Sequence, residues 1–498
     1  MKVNLWIITM PMMQTIARRI GFGFRPEEKI PNTVSDWLEE QLTFDAQYKG
    51  VAKAGPNSKV SKWPEELKLD ISEIYKRVFE YNRLYDKYTR QKGKYTIQEL
   101  LSLRREWIHA NEVFWQDETR IFHSAIYGEE QVRQRLIHFW ANHFTVGDGA
   151  HERKFIAHHI ENAIGGNLKG NFKELLFQAT ISPGMVHYLD NNFNIGENSA
   201  AAREEKNKFP ASKRRQIGLN DNLARELLEL HTITPKAGYT EADIRECARI
   251  LAGWGLDDGD RGHARKSLLS YELPLVRFFQ EPGEKTVFGK TFKAGPDGLR
   301  DLTDLLADHP STAEHLSYKL CQHFVADEPN EEDVKQVHDV WQKTRGHLPD
   351  VHMKVMEIAS KSNIPKFQWP MTWFLQTMRM AGASLIDGWD EVRPSRNRTN
   401  DFVSQPRKLS EELGQGFYLR RQPNGYSQVK KDWISPAHLE RRVRFASLIA
   451  KHGQILIGPN DLATRCRVSQ NTRDVMDQAE DKDKKFIILA CSQDFMEA

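Results

Sequence analysis

One 36-residue stretch, Asn220 to Gly255, constrains the fold more than any other segment, because it carries two clean amphipathic helix patterns joined by a turn-rich link. At 100° per residue, Leu223, Leu227, Leu228 and Leu230 fill one arc of the first pattern, and Asn222, Arg225, Glu226 and Glu229 share the opposite sector. In the second, Thr240 followed three residues later by Asp243 marks a helix start, Ile244, Cys247, Ala248 and Leu251 form the apolar stripe, and Gly253 ends it. The same period recurs along the chain. It runs through Glu129 to Phe144, where Val132, Leu136, Phe139 and Trp140 make a stripe that His143 continues, and through His151 to Asn162, which would place His158 and His159 on a surface. Alternating runs are few, the main one being Lys285 to Phe292, which reads as a hairpin. The expected fold is therefore mainly α: one large multi-helix domain over residues 1–498, with long irregular loops and at most a short β-hairpin.

Three stretches break the helical pattern, 191–218, 257–296 and 387–431, each rich in Gly, Pro, Asn or charge, and residues 50–64 read as a surface insertion. Long irregular segments between packed helices are commonly functional. The run Lys206 to Arg215 is basic but lacks interleaved aromatics, so it reads as a solvated loop.

Composition excludes several function classes. With 71 Lys and Arg against 68 Asp and Glu, the formal charge of +3 gives no electrostatic footprint for nucleic acid. No run approaches the length of an apolar membrane span. The apolar run Leu5 to Met13 faintly resembles an export leader, but Pro11 interrupts it and Arg18-Arg19 follows at once, so the sequence assigns no compartment. Four cysteines, Cys247, Cys321, Cys466 and Cys491, are widely spaced with no CxxC, which argues against a zinc site and for a disulfide-free fold.

The candidate chemistry lies on these helices. Glu226 and Glu229 beside Arg225 can bind a cation or a polar substrate, or one carboxylate can raise the pKa of the other for acid–base work; the competing reading is a solvated face with an Arg225–Glu229 pair. His143 is a candidate acid or ligand, or a satisfied core histidine. His138 lies five residues before it and on another face, so the two do not form an i, i+4 metal chelate. His231, near a helix end, reads either as a proton carrier favoured by the helix dipole or as a buried ring bonded to a carbonyl. Asp190-Asn191-Asn192 can offer oxygen ligands to a divalent cation or simply make a turn. Trp254, flanked by glycines, reads as the wall of a pocket or as core.

The order of motifs resembles one family, the bacterial domain of unknown function 1800. The matching runs are Ala17 to Pro26, Tyr127 to Phe144, Asn171 to Asn191, Asn220 to Trp254, Gly283 to Gly289, His309 to Val325, Leu413 to Ala446 and Leu489 to Met496. The resemblance implies a largely helical protein, often exported, encoded near a sulfatase-like protein that is a candidate partner; it implies no reaction. It draws attention to Asn142, His143, Asp190, Asn191, Asn222, Arg225, Glu226, Glu229, Trp254 and Lys285. Two positions depart from its pattern. Ala141 stands where relatives carry histidine in a WHNH run, and Gln280-Glu281 replace a His-Asp pair.

Two functions follow from this sequence. In one, a hydrolase or group-transfer enzyme uses Glu226 or Glu229 as base or cation ligand, His143 as acid and Arg225 as anion clamp, with Asn142, Asp190, Asn191, Asn222, Trp254 and Lys285 contacting substrate. In the other, a non-catalytic binding or assembly protein uses the same polar groups as structural fastenings.

Overall fold

The helical period of the sequence is realised in the structure, a computed structural model that describes residues 10–43, 71–89, 91–147, 152–210, 212, 217–255, 275–383, 410–416, 422–453 and 455–498. The expected insertion at 50–64 and most of 387–431 lie outside these residues. The three helices singled out in the sequence form as Gln131–His143, Asn222–Glu229 and Glu241–Leu251. Thr240 caps the last of these in a reciprocal box: its side chain accepts from Asp243 N while Asp243 accepts from Thr240 N.

Among the described residues the one sheet is a two-stranded antiparallel hairpin, Lys285–Val287 with Lys290–Phe292, in the register Lys285 to Phe292. Its turn places both Phe288 (φ 50°) and Gly289 (φ 71°) in the left-handed region, the geometry that matches the twist of a two-residue hairpin. The hairpin docks on the Glu241–Leu251 helix, whose Asp243 and Glu246 carboxylates accept from Phe288 N and Thr286 N.

Among the described residues the helices surround two large apolar cores and two small apolar clusters in a large single helical domain. The larger core collects Leu136, Phe139, Trp140, Leu227, Leu251, Leu316 and Val355, and the smaller collects Trp373, Leu375, Phe445 and Leu489. The long Ile97–Tyr127 helix serves both, giving Ile121 to the first and Phe122 and Ala125 to the second. Arg379 fastens the seam: fully buried, it donates to the carbonyls of Gly23, Ala125, Ile126 and Gly128 and pairs with Glu28. Among the described residues no helix is long and apolar enough to cross a membrane. The four cysteines are unpaired.

The Met10–Ile20 helix packs into the larger core through Met13, Ile16 and Ala17. Arg18 reaches the carbonyls of Asp494, Phe495 and Glu497, and Arg19 those of Phe324, Ile364 and Ala498. The stretch 191–218, expected as loop, contains the Ala200–Lys208 helix, so the basic run begins helically. Its polar surface hid it: only Ala201, Ala202 and Glu205 are buried. The expected helix His151 to Asn162 breaks into a 3-10 turn, a short α segment and a π-helical turn, His159–Ile164. His159 is not on a surface but buried there, its Nε2 donating to Phe144 O (2.8 Å) and its Nδ1 accepting from Ser182 (2.9 Å).

Candidate functional site

The Gln131–His143 helix is buried over most of its length, and its last turn presents side chains to two different places. His143 turns into a cluster of bases. Its Nε2 lies 3.1 Å from His231 O and its Nδ1 2.9 Å from Lys319 Nζ. A carbonyl only accepts, so Nε2 carries the proton and Nδ1 offers a lone pair to the amine. The His231 and His315 rings stand 5.9 Å and 6.3 Å from His143.

Burial dominates the electrostatics of this cluster. It pushes His143 well below its ordinary value, helped by the Lys319 charge, and it pushes His231 to about 3, His315 to about 4 and Lys319 to about 8. At neutral pH the three imidazoles are therefore neutral. The expectation that the helix dipole would favour a protonated His231 is overturned, because desolvation of a ring 1 % exposed outweighs it. Nor does the ring bond a carbonyl: both its nitrogens lack partners, and only its backbone oxygen takes part, as the acceptor for His143.

Just before His143, Ala141 and Asn142 line a pocket of ≈ 50 Å³, also lined by His138, Trp369, Met371, Gln415 and Tyr426. Asn142 holds the backbone of Tyr426 on both sides, Oδ1 accepting from its N (2.7 Å) and Nδ2 donating to its O (3.0 Å). Gly425 (φ 70°) lets the loop come this close, since a Cβ there would sit 2.3 Å from Asn142 O. Gln415 Oε1 accepts from Met371 N, which leaves its NH₂ group as a donor. Trp369, 4 % exposed, stands edge-on to His323 and has no acceptor for its Nε1 proton. Burial, followed by the Arg135 charge, pushes His138 down to about 3, so that it too is neutral. Among the described residues no carboxylate lines this pocket.

The glutamates lie apart from both places. On the Asn222–Glu229 helix, Arg225 does not pair with Glu229, as the solvated-face reading expected; it forks onto Glu241 (3.0 and 2.9 Å) and reaches Asp221 at 3.2 Å. Glu226 is half-buried, and burial together with the Glu229 charge holds its carboxyl above the ordinary value, against the pull of Arg225. Asn222 is exposed. Among the described residues no hydrogen bond or ion pair joins this face to His143, and no three His, Cys, Asp or Glu side chains gather as a metal would need.

A third group is structural in its contacts. Asn191 donates to Leu251 O (3.1 Å) and Trp254 O (2.6 Å), tying the loop to the end of the second helix, while Asp190 is exposed at φ 57°. Trp254 is fully buried, edge-on to Phe177. Lys285 spends its ammonium on the carbonyls of Glu281 and Gly283. Glu281, one of the departures from the family pattern, receives Asn198 N (2.9 Å) and Asn198 Nδ2 (2.6 Å), so it fastens the neighbouring loop.

Sequence reasoning singled out His143 and Asn142 but not their neighbours Lys319, His315, Trp369 and Gln415. His315 and Lys319 lie four residues apart on the Pro310–Phe324 helix, bordering its stripe of Leu316 and Leu320, and that offset was the available signal. A family model described as a protein of unknown function (DUF1800) matches residues 15–496. No curated protein and no solved structure is similar to the chain.

Proposed function

This chain belongs to the DUF1800 family of proteins of unknown function, and we propose that it is a non-catalytic binding protein whose pocket beside Ala141 and Asn142 takes the carboxylate of a small organic acid. The observation that carries this reading is the Trp369 indole N–H, buried and, among the described residues, without an acceptor, on a side chain that lines a pocket with no acid among its described lining residues. An orphaned buried donor costs about 1–3 kcal/mol, which an oxygen of a bound ligand recovers. The Gln415 NH₂ group adds a second donor. Behind His138, one helical turn away, the Arg135 guanidinium is 1 % exposed and is held by His323 Nε2 and Gln368 Oε1 with no carboxylate in an ion pair. Its field favours an anion. Ala141, Val146 and Met371 supply an apolar wall for the rest of the molecule.

The hydrolytic alternative has less support. Arg225 is engaged by Glu241 and Asp221, and Asn142, Asn191 and Lys285 are engaged by backbone; only Glu226, with its raised pKa, retains the character of an acid–base group.

The test is calorimetric titration of the purified protein with short aliphatic and aromatic carboxylates, each beside its neutral amide, for wild type and Trp369→Phe. The expected result is binding of acids over amides, weakened about tenfold or more by loss of the indole N–H, the worth of a hydrogen bond to a charged acceptor. Absence of any carboxylate binding, or equal affinity in Trp369→Phe, would overturn the proposal.

A further inference from the structure

We propose that Lys319 is a nucleophilic amine, held by His143, that condenses with the carbonyl group of a small aldehyde or ketone. This site is separate from the carboxylate pocket and does not rest on it. The geometry is that of a nucleophile with an orienting chain: His231 O fixes the Nε2–H tautomer of His143 (3.1 Å), and the lone pair so left on Nδ1 accepts one N–H of Lys319 (2.9 Å). A neutral amine held this way keeps its own lone pair for a second direction. His143 is a positioning residue here and not the base, because burial has made it too weak to take a proton.

The surroundings disfavour the ammonium form. The groups facing Lys319 are the neutral rings of His143, His231 and His315, and among the described residues no carboxylate pairs with it. Other lysines differ: Lys366 is bonded to Asp327, Lys335 to Asp339 and Lys484 to Glu480. Burial brings the Lys319 amine to about 8, and the residue as a whole is of intermediate exposure. His231 adds the second requirement. It is 1 % exposed, both its ring nitrogens lack partners, and the one carrying the proton can donate to an oxygen brought in by the ligand.

The chemistry balances without redox. The amine nitrogen attacks the carbonyl carbon, forming a C–N bond as the C=O electron pair moves to oxygen. The resulting carbinolamine loses its hydroxyl and the nitrogen-bound proton as one water, leaving a C=N bond.

Glyoxylate with cyanoborohydride, applied to the full-length protein between pH 6 and 10, converts any imine to a stable adduct that peptide mass spectrometry assigns to each lysine. At pH 7 an amine of pKa about 8 is roughly a tenth in the free form, against well under a thousandth for an ordinary lysine. Allowing for the lower intrinsic nucleophilicity, the expected result is labelling of Lys319 at least about tenfold faster than Lys335 or Lys484, with a midpoint near pH 8. His143→Gln should shift that midpoint, and if the variant does not fold, the wild-type profile still decides. Labelling of Lys319 that is absent, or that is no faster than the exposed lysines with their midpoint near pH 10, overturns the proposal.

Discussion

Replacing Asn142 by alanine separates a fastening role from a ligand-contacting one. The side chain makes two bonds to one backbone unit, 2.7 Å from Tyr426 N and 3.0 Å to Tyr426 O, both part-buried. Each is worth about 0.5–1.5 kcal/mol net, and an orphaned buried partner adds about 1–3 kcal/mol. Because the adjacent pocket lets water reach one side, the lower end applies, and Asn142→Ala should cost about 2 kcal/mol. Asn142→Asp should cost more than alanine, since it keeps the acceptor for Tyr426 N but sets a carboxylate against Tyr426 O. Equilibrium urea unfolding gives the magnitude, and amide hydrogen exchange locates it: protection should fall first around residues 422–433, the loop that Asn142 holds. A loss below about 0.5 kcal/mol in Asn142→Ala, or unchanged protection of that loop, would refute the reasoning.

Other perturbations follow from the buried bases and the glutamates. His138, His159, His231 and His352 are held at about 3 to 4 in the folded chain, chiefly by burial, below the ordinary histidine value. The unfolded chain therefore binds more protons below pH 6.5, and the unfolding free energy from urea titration should fall steadily between pH 7.5 and 5.5, by up to about 1.4 kcal/mol per ring; an unchanged value would contradict these assignments. Glu226 works in the opposite sense. Its raised pKa means that the charged form is penalised at neutral pH, so Glu226→Gln should stabilise the protein above the carboxylate range and leave it unchanged below about pH 4, which the same unfolding series checks. If Glu226 and Glu229 hold a divalent cation, elemental analysis of the purified protein will find stoichiometric metal that Glu226→Gln, Glu229→Gln loses; the binding reading expects the same metal content in both.

The helices were legible because each buries one face, and the 3.6-residue period of Leu223, Leu227 and Leu228 or of Ile244, Ala248 and Leu251 records that burial directly. Ala200–Lys208 was not legible, since a helix that buries little leaves little pattern. The burial of His159 was missed because the partners of its ring, Phe144 and Ser182, lie on segments that sequence order keeps apart. The same limit governed the sites. His143 stood out as a polar residue on an apolar stripe, but Lys319 is 176 positions away, and nothing local marks the two as partners. Arg225, Glu226 and Glu229 looked convergent because helical geometry places them on one sector, whereas the partners that engage Arg225, Glu241 above all, come from outside that helix's sector.

The most direct test of the binding account is Ala141→His, which restores the ring of the family's usual WHNH run at the edge of the pocket. An imidazole at position 141 would stand in the lining of this pocket and compete with a carboxylate for its space. Calorimetric titration of the folded variant with the best wild-type acid should give no measurable heat of binding. Retained affinity in Ala141→His, with the circular dichroism of the native protein, would contradict the assignment of this pocket as the ligand site.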